Sequence, residues 1–287
     1  MEITIDTIIN QLPGVLTANP LDLSCLSWIE PIGLSLIKAF KRYNPDLRIT
    51  LPQDEKVRKY IHIMNQDIDS VHGNTYVPLI SLPPHSRDKV DRTAREIVDK
   101  LLKDPSFEKT DDDYANDCRI YLSYMLTEVL NNAVDHANSA VDVIVCAQHF
   151  PKKKKTQVSI VDCGVGFKAT LSGKYQVHNE ADALSKAIQR EVTGAILGMY
   201  QSTTRNIGMG LYVLTEMIKH LNGQLLMFSR NGFLTMKDRR ISIGQLETEW
   251  PGSLVAFEID TQEINHDFND FMRIYILQKD ENEEDIF

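Results

Sequence analysis

The spacing of apolar positions in the first part of the chain, residues 1–84, predicts a small α/β unit. The apolar run Leu21–Ile29 predicts a buried strand. From Gly33 the spacing becomes helical, Pro45 ends that helix, and the run LRITLP begins a second strand. A strand–helix–strand order indicates helices packed against one sheet. The segment SLPPHSRD, with its two consecutive prolines, predicts a linker to the next block.

A longer second block, residues 85–262, combines helical and strand patterns. The spacing predicts a helix over VDRTAREIVDKLL, a long helix at Tyr114–Ala137, and helices at Glu180–Arg190 and Leu211–Leu221. The runs VDVIVCAQ, TQVSIVD, QLLMFS, FLTM and SLVAFEI predict strands, and the turn RNG joins two of them into a hairpin. The last residues, 263–287, end in the acidic segment QKDENEEDIF, which we expect to fray. The predicted fold class is α/β, in the mixed α+β sense, with two domains and a tail.

The composition of the chain indicates the cellular compartment in which the protein acts. The chain of 287 residues is 43% hydrophobic and 25% charged, which are ordinary globular proportions. No run approaches the ~20 apolar residues of a membrane helix, and the N-terminus MEITIDTIINQLPG is acidic where a secretory signal is basic. Four scattered cysteines argue against a structural zinc site and fit a reducing compartment: Cys25, Cys118, Cys146 and Cys163. We therefore expect a cytoplasmic protein with no membrane contact.

The net charge of −9 argues against a nucleic-acid partner, because broad binding to a phosphate backbone needs a positive surface. The candidate basic patch is Lys152–Lys155. It lies between two strand-like runs, so a solvated hairpin tip is the favoured interpretation.

The first candidate motif is TEVLNNAVDHA on the long predicted helix. Glu128, Asn132 and His136 follow one another at four-residue steps and therefore share one helical face. A carboxylate beside a carboxamide suits hard-cation chemistry: Asn132 can ligate Mg²⁺ while Glu128 orients or deprotonates a water. In a simpler interpretation, these polar residues mark only the solvent edge of a core-facing helix.

The second candidate motif, VSIVDCGVGF, ends a strand-like run. Asp162 can accept a hydrogen bond from an exocyclic amine, and Gly164 and Gly166 let the backbone turn sharply and approach a flat ligand. A plain strand-to-turn exit remains an alternative. A dinucleotide-binding fingerprint would need a helix directly afterwards, whereas the polar, turn-rich segment KATLSGKYQVHN follows.

The third candidate motif is TTRNIGMGLYVLTEMIKHL. Gly208 and Gly210 stand just before a helix, whose free N–H groups and dipole attract phosphate. Further donors come from Arg205 and from the hydroxyls of Ser202, Thr203 and Thr204. A glycine-led helix start is the simpler interpretation. Because Gly208 follows Gly166 by 42 positions, the segment between them predicts a lid or binding loop.

In this order, the three motifs resemble those of the ATPase superfamily shared by histidine kinases, gyrase, heat-shock chaperones and the mismatch-repair protein MutL (the GHKL superfamily). The resemblance covers about Arg87 to Asp260. TEVLNNAVDHA is similar to the N box, DCGVGF to the first glycine box and NIGMGLYVL to the second. The resemblance implies a mixed, mostly antiparallel sheet covered by helices on one face, with the nucleotide between helices and lid.

The resemblance also implies ATP and Mg²⁺ as ligands and gives residues roles. Asp162 would contact the adenine amino group, Asn132 would hold Mg²⁺, and Glu128 would be the catalytic base of a hydrolysing member. The closing Gly-Thr pair of the family appears as Gly252-Ser253, whose hydroxyl could reach adenine through water. Further nucleotide contacts are expected at Gly164, Gly166, Thr203, Thr204, Arg205, Gly208, Gly210 and Leu211.

Two further likenesses concern the lid and the N-terminal block. ADALSKAIQREVTG and GMGLYVLTEMIKHLNGQL are similar to stand-alone ATPases related to anti-sigma factor kinases. DLSCLSWIEPIGLSLI is similar to the STAS domains that are partners of such kinases. STAS switch proteins usually carry Asp-Ser-Ser-Gly where this chain has Glu30-Pro31-Ile32-Gly33, which leaves no hydroxyl to accept a phosphate. We expect a STAS-like interaction domain followed by a histidine-kinase-like ATPase domain.

These expectations favour a regulator in which ATP and Mg²⁺ order the lid and so control the binding of a protein partner; a homodimer is also open. The alternatives are an ATP-hydrolysing enzyme that uses Glu128 and a serine kinase that acts on a partner. A histidine autokinase is disfavoured, because VDRTAREIVDKLLKD, the helix before the N box, contains no histidine to phosphorylate.

Overall fold

The computed structural model confirms the α/β (α+β) fold class. It describes residues 1–66, 75–108, 112–135, 137–192, 209–265 and 267–277. The strands are β1 (Glu2–Ile3), β2 (Leu21–Asp22), β3 (Trp28–Ile29), β4 (Ile49–Thr50), β5 (Tyr76–Leu82), β6 (Val143–Phe150), β7 (Lys155–Val161), β8 (Gln224–Ser229), β9 (Gly232–Lys237), β10 (Arg240–Gln245) and β11 (Ser253–Asp260).

The four helices predicted in the second block lie close to their predicted bounds, but short helices at Pro105–Glu108 and Gly166–Leu171 were not predicted. The second of these begins shortly after the strand that ends at Val161, at the start of a segment predicted to be turn-rich, so that prediction was wrong there. The helices are α1 (Ile8–Thr17), α2 (Pro31–Tyr43), α3 (Glu55–Met64), α4 (Arg87–Leu101), α5 (Pro105–Glu108), α6 (Asp112–Asp135), α7 (Gly166–Leu171), α8 (Glu180–Ala187), α9 (Gly210–His220) and α10 (Phe268–Phe271). A 3₁₀ turn at Thr261–Glu263 and a π-helix at Met272–Leu277 complete the described chain.

One large sheet organises the molecule. Its seven strands lie in the order β10-β9-β8-β11-β7-β6-β5, and every described pairing within it is antiparallel. The resemblance implied a mixed sheet; here the parallel pairs lie outside it, in two short ladders, β1-β3 and β2-β4. Strands β6 and β11 are buried almost throughout and contain the apolar runs VIVCA and LVAF, which is expected where both faces of a sheet are covered.

Helices α4, α6 and α9 cover one face of this sheet. Their apolar stripes bury alternate residues of the strands, for example Val145 of β6 and Phe257 of β11. The C-terminal segment joins this core, because Phe271 and Ile276 are fully buried in it. Part of the predicted tail is therefore packed, and the acidic end at 278–287 lies outside the described residues.

The N-terminal block covers the other face, where the resemblance implied no helical layer. Helix α2 contacts β6 and β7 directly. Buried polar contacts among the described residues cross this boundary. For example, the hydroxyls of Ser35 and Ser159 lie 2.6 Å apart, and the Glu30 carboxylate accepts a hydrogen bond of 3.0 Å from Gln157 Nε2. Because buried polar groups cost free energy when unpaired, these contacts favour one position of the layer on the sheet.

The predicted strand Leu21–Ile29 is instead two short strands with a turn between them. The turn forms because the Asp22 carboxylate accepts from the Ser24 N–H at 2.9 Å and Leu26 N–H bonds to the Leu23 carbonyl. Short polar side chains commonly compete with strand pairing in this way. The sequence pattern alone had missed this local competition.

The region predicted as a linker follows directly on the main sheet. Strand β5 lies inside the range assigned to the first domain, yet it pairs with β6 at the edge of the seven-stranded sheet. Its register shifts between Val77 and Ile80, around Pro78, as expected for proline in an edge strand. Beyond it His85 adopts a φ of 59° and donates its N–H to the Val134 carbonyl near the end of α6.

The predicted hairpin tip at Lys152–Lys155 is a turn as far as Lys154, which has a φ of 56°, whereas Lys155 begins β7 and forms an ion pair with Glu258. No helix among the described residues is both long and apolar enough to cross a bilayer.

Candidate functional site

Three of the sequence motifs meet around the second half of α6. The turn after β7 touches the C-terminal end of α6, the first turn of α9 touches its middle, and the start of β11 lies beside the end of β7. Residues predicted from separate motifs, 34 to 125 positions away from Glu128 in sequence, are therefore neighbours in space.

Asp162 is a buried carboxylate at the end of β7. Its Oδ1 accepts two backbone hydrogen bonds, from Gly164 N–H at 2.9 Å and from Ser253 N–H at 3.1 Å. Burial nevertheless raises the pKa of Asp162 from 3.8 to about 7, although these backbone donors and the Ser253 hydroxyl oppose the shift. A carboxylate held in this way can accept a further hydrogen bond from a ligand amine, or donate one when it is protonated.

The main chain of Asp162 is also fixed on both sides. Its N–H donates to the Ser253 carbonyl at 2.9 Å, and its carbonyl accepts from the indole Nε1 of Trp250 at 3.0 Å. Trp250 is fully buried, and its ring centroid lies 5.9 Å from that of Phe40 on α2. The N-terminal layer is thus one side chain away from Asp162.

Two glycines allow the close approach of chain segments at this point. A Cβ at Gly164 would overlap the Ala137 carbonyl oxygen just beyond α6, and a Cβ at Gly252 would overlap the Asp162 carbonyl oxygen. The same Ala137 oxygen accepts a 2.7 Å hydrogen bond from Val165 N–H. The turn after β7 therefore lies directly against the end of the predicted N-box helix.

The second glycine of the turn, Gly166, has a φ of 84°, which other residues rarely adopt. It begins α7, whose first N–H groups bond to neighbouring side chains. Phe167 N–H donates to Ser229 Oγ at 2.7 Å, and Lys168 N–H donates to Glu180 Oε2 at 3.0 Å. Ser229 in turn donates to Glu180, so a carboxylate stands at the positive end of α7.

Glu128 lies half-buried on α6, next to the start of α9. A Cβ at Gly210 would overlap Glu128 Oε2, so the carboxylate rests against the glycine backbone. Burial raises the pKa of Glu128 and the charge of Arg87 lowers it. Tyr124, one turn earlier, has a buried hydroxyl with no hydrogen-bond partner among the described residues, and its pKa is raised by burial and by the Glu128 charge.

Asn132 is half-buried one turn after Glu128 on the same helix. Arg87, at the start of α4, forms an ion pair with Asp135, a further turn along at the end of α6. Leu211 follows Gly210 in α9 and packs against the core. Within the described ranges, no cluster of three or more His, Cys, Asp and Glu side chains could hold a metal ion. A cation at Glu128 and Asn132 would therefore need ligands from a bound molecule or from water.

Several predicted residues lie outside the described residues: His136, Ser202, Thr203, Thr204, Arg205 and Gly208. The predicted lid between Gly166 and Gly208 is described only as far as residue 192, through α7 and α8.

Sequence reasoning had missed several residues of this arrangement. These residues belong to none of the three motifs, because their contacts with motif residues span between 14 and 88 positions of sequence: Trp250, Arg87, Glu180 and Ser229. A weak signal existed for Trp250, which stands two residues before the Gly252-Ser253 pair in a polar segment.

Comparison of the chain with protein-family models and with curated proteins gave no match. The ATPase resemblance therefore remains a prediction, carried by the motifs.

Proposed function

We propose that this protein binds ATP, with Mg²⁺, between α6, the turn after β7 and the start of α9, and that the bound nucleotide controls a protein partner in the cytoplasm. The observation that carries the proposal is the environment of Asp162. A buried carboxylate with one oxygen held by two backbone N–H groups is a rigid acceptor for an exocyclic amine. Glycine at 164, 210 and 252 lets the neighbouring chain segments pack closely around Asp162 and Glu128, which holds both carboxylates in place.

Each residue would have a distinct task. Asp162 would accept the amine of the base, and the Ser253 hydroxyl beside it would serve the same end of the ligand. The first N–H groups of α9 would face the phosphates, because a helix N-terminus attracts anions. Asn132 would offer its side-chain oxygen to Mg²⁺, which when bound neutralises phosphate charge.

Control of a partner is supported by the contact between the two parts of the chain. Trp250 bonds to the backbone of Asp162 on one side and touches Phe40 of the N-terminal layer on the other. A ligand that moves Asp162 would therefore act on the layer through one buried side chain. The coupling can be only as large as the difference in partner affinity between the two states.

The experiment that tests the proposal is a calorimetric titration of Mg·ATP into the wild type, Asp162→Asn and Asp260→Asn. Asp162→Asn is almost isosteric, and its Oδ1 can still accept both backbone hydrogen bonds, but an amide N–H₂ would face the ligand amine. Asp260→Asn is the matched control, because Asp260 also ends a strand and accepts a backbone hydrogen bond, from Gln262. Saturable binding that only Asp162→Asn weakens, by about tenfold or more, supports the site. A folded wild type that binds no nucleotide refutes it.

ATP hydrolysis is the second candidate, because a half-buried Glu128 with a raised pKa is suited to accept a proton from water. Glu128→Gln should then lower turnover by 10²-fold or more, roughly, while leaving ATP binding nearly unchanged. Glu96→Gln, on the exposed side of α4, is the control. If Glu128→Gln turns over ATP at the wild-type rate, Glu128 is not the base.

A further inference from the structure

Two rows of apolar side chains cross the large sheet and end at solvent-exposed residues on β10. The residues in each row are cross-strand partners and therefore lie on the same face, the one covered by α4, α6 and α9. One row is Ala147, Val158, Phe257, Leu225, Met236 and Ile241, and the other is Val145, Ile160, Val255, Met227, Leu234 and Ile243.

The exposure of these rows changes abruptly at the last strand. Every member on β6, β7, β11, β8 and β9 is buried, whereas Ile241 is 38% and Ile243 is 40% exposed. Helix α8 lies near β9 and β10, yet it leaves both isoleucines accessible. The apolar face of the sheet thus continues as far as its edge strand. Natural edge strands usually carry charged residues that protect the edge, and these two positions of β10 do not.

The backbone of β10 offers a free edge beside these side chains. No described strand lies beyond β10. Arg240 and Lys237 flank a two-residue turn and therefore form a hydrogen-bonded pair. Hydrogen-bonded and non-hydrogen-bonded pairs alternate along the two strands, so Ile241 and Ile243 are in non-hydrogen-bonded pairs with β9. The N–H and C=O groups of Ile241 and Ile243 therefore point away from β9, towards any strand added outside.

We propose that β10 pairs antiparallel with β10 of a second copy of this chain, about a twofold axis at Ser242. This register sets Ile241 opposite Ile243 of the second copy, and Ile243 opposite its Ile241. The outward backbone groups of both residues then meet as hydrogen-bonded pairs, and the two apolar rows continue from one molecule into the other. The proposal is independent of the proposed nucleotide site.

Charge favours a second copy over another extended partner. The chain is basic just before the isoleucines, at Arg239 and Arg240, and acidic after them, at Glu247, whereas Glu249 is already paired with Arg230 of its own chain. In an antiparallel pair the basic end of one strand lies towards the acidic end of the other. The edge is therefore complementary to itself in shape, hydrogen bonding and charge.

The test is sedimentation velocity of the full chain over a wide range of protein concentration. The wild type should form a dimer that dissociates on dilution. Ile241→Lys/Ile243→Lys should weaken association by about tenfold or more, equivalent to about 1.4 kcal/mol or more, because two positive charges from each copy would face each other across the paired strands. Ile274→Lys is the matched control, since Ile274 is also 38% exposed but lies on the C-terminal π-helix; it should dimerise as the wild type does.

A crosslink fixes the register and remains informative if the double lysine variant fails to fold. At a twofold axis on Ser242, the two Ser242 residues form a non-hydrogen-bonded pair with Cα atoms about 4.5 Å apart, within disulfide range. With Cys25→Ser removing the exposed native thiol, Ser242→Cys should form an interchain disulfide under a mild oxidant, and Ser172→Cys, also exposed, should not.

Either of two results would overturn the proposal. One is a wild type that stays monomeric at the highest concentration, with no Ser242→Cys crosslink. The other is a dimer whose association is unchanged by the folded double lysine variant.

Discussion

The carboxylate of Glu128 lies against the backbone of Gly210 and leaves no room for a side chain at position 210. The two residues are 82 positions apart in sequence, on α9 and α6. Because the overlapping atoms are the far end of a flexible side chain, a methyl group at 210 would move the carboxylate and not the backbone.

We therefore expect Gly210→Ala to displace Glu128 at little cost in stability. The free energy of unfolding, measured by thermal denaturation, should change by less than about 1 kcal/mol, since alanine has a higher helix propensity than glycine. ATP turnover, if Glu128 is the base, should fall by about tenfold or more, because a base must be within hydrogen-bond reach of its water. Normal turnover in the folded variant would show that the position of Glu128 is not critical.

Gly164→Ala, unlike Gly210→Ala, should lower the stability of the fold considerably. Its Cβ would overlap the backbone carbonyl of Ala137, which can move only with the end of α6. We expect a loss of unfolding free energy of about 1–3 kcal/mol or more, measured by chemical denaturation. Gly173→Ala is the control, because no atom lies within 4 Å of its Cβ position; it should stay within about 0.5 kcal/mol of the wild type. Equal stability of the two variants would contradict the close contact.

The raised pKa of Asp162 predicts opposite effects of pH on stability and on binding. Its pKa is about 7 in the folded protein and 3.8 ordinarily, so the folded state binds the proton more tightly. The stability that this proton contributes is fully present below about pH 4 and is lost as pH rises through 7. Asp162→Asn should therefore raise Tm, relative to the wild type, by about 4 °C or more at pH 8 and by much less at pH 5.

Binding of an amine-bearing base would follow the reverse course. The ionised carboxylate is the better acceptor, so the affinity for ATP should fall as pH drops below about 7. Titrations of ATP at several pH values would measure this dependence. An affinity that rises on acidification would rule out the ionised Asp162 as the acceptor.

Trp250→Phe would remove the indole donor while keeping an aromatic ring beside Phe40. The Asp162 carbonyl would lose its buried partner, at a cost of about 1–3 kcal/mol in unfolding free energy. ATP should bind more weakly, because Asp162 would no longer be held on that side. Trp28→Phe, at a residue 36% exposed on β3, is the control and should change neither property appreciably. If a folded Trp250→Phe variant binds ATP with wild-type affinity, the indole hydrogen bond does not contribute to the nucleotide site.

The sequence predicted the elements that are long or strongly periodic. Helices α4, α6 and α9 and the hairpins β6–β7 and β8–β9 lie close to their predicted positions, because each has an apolar pattern of its own. Strand β10 was missed, although its two isoleucines alternate with polar residues as in a half-buried strand, because this alternation covers only a short part of the segment. The packed π-helix was missed because it was counted with the acidic tail.

The position of the N-terminal block could not be predicted from local patterns. Nothing in α2 alone says that it covers the large sheet. The uninterrupted apolar runs in β6 and β11 did indicate burial on both faces, a signal that the expectation of helices on one face had overlooked. The site behaves similarly: the motifs singled out Asp162 and Glu128, but only the folded chain brings Trp250 and Gly210 against them.

The enclosure of Trp250 has a practical consequence for spectroscopy. The chain contains two tryptophans, one at the surface and one sealed inside and bonded to the backbone of Asp162. A soluble quencher should reach the first and not the second, and Trp28→Phe would leave a single emitter. Its emission would then report, without any label, on whatever disturbs the end of β7.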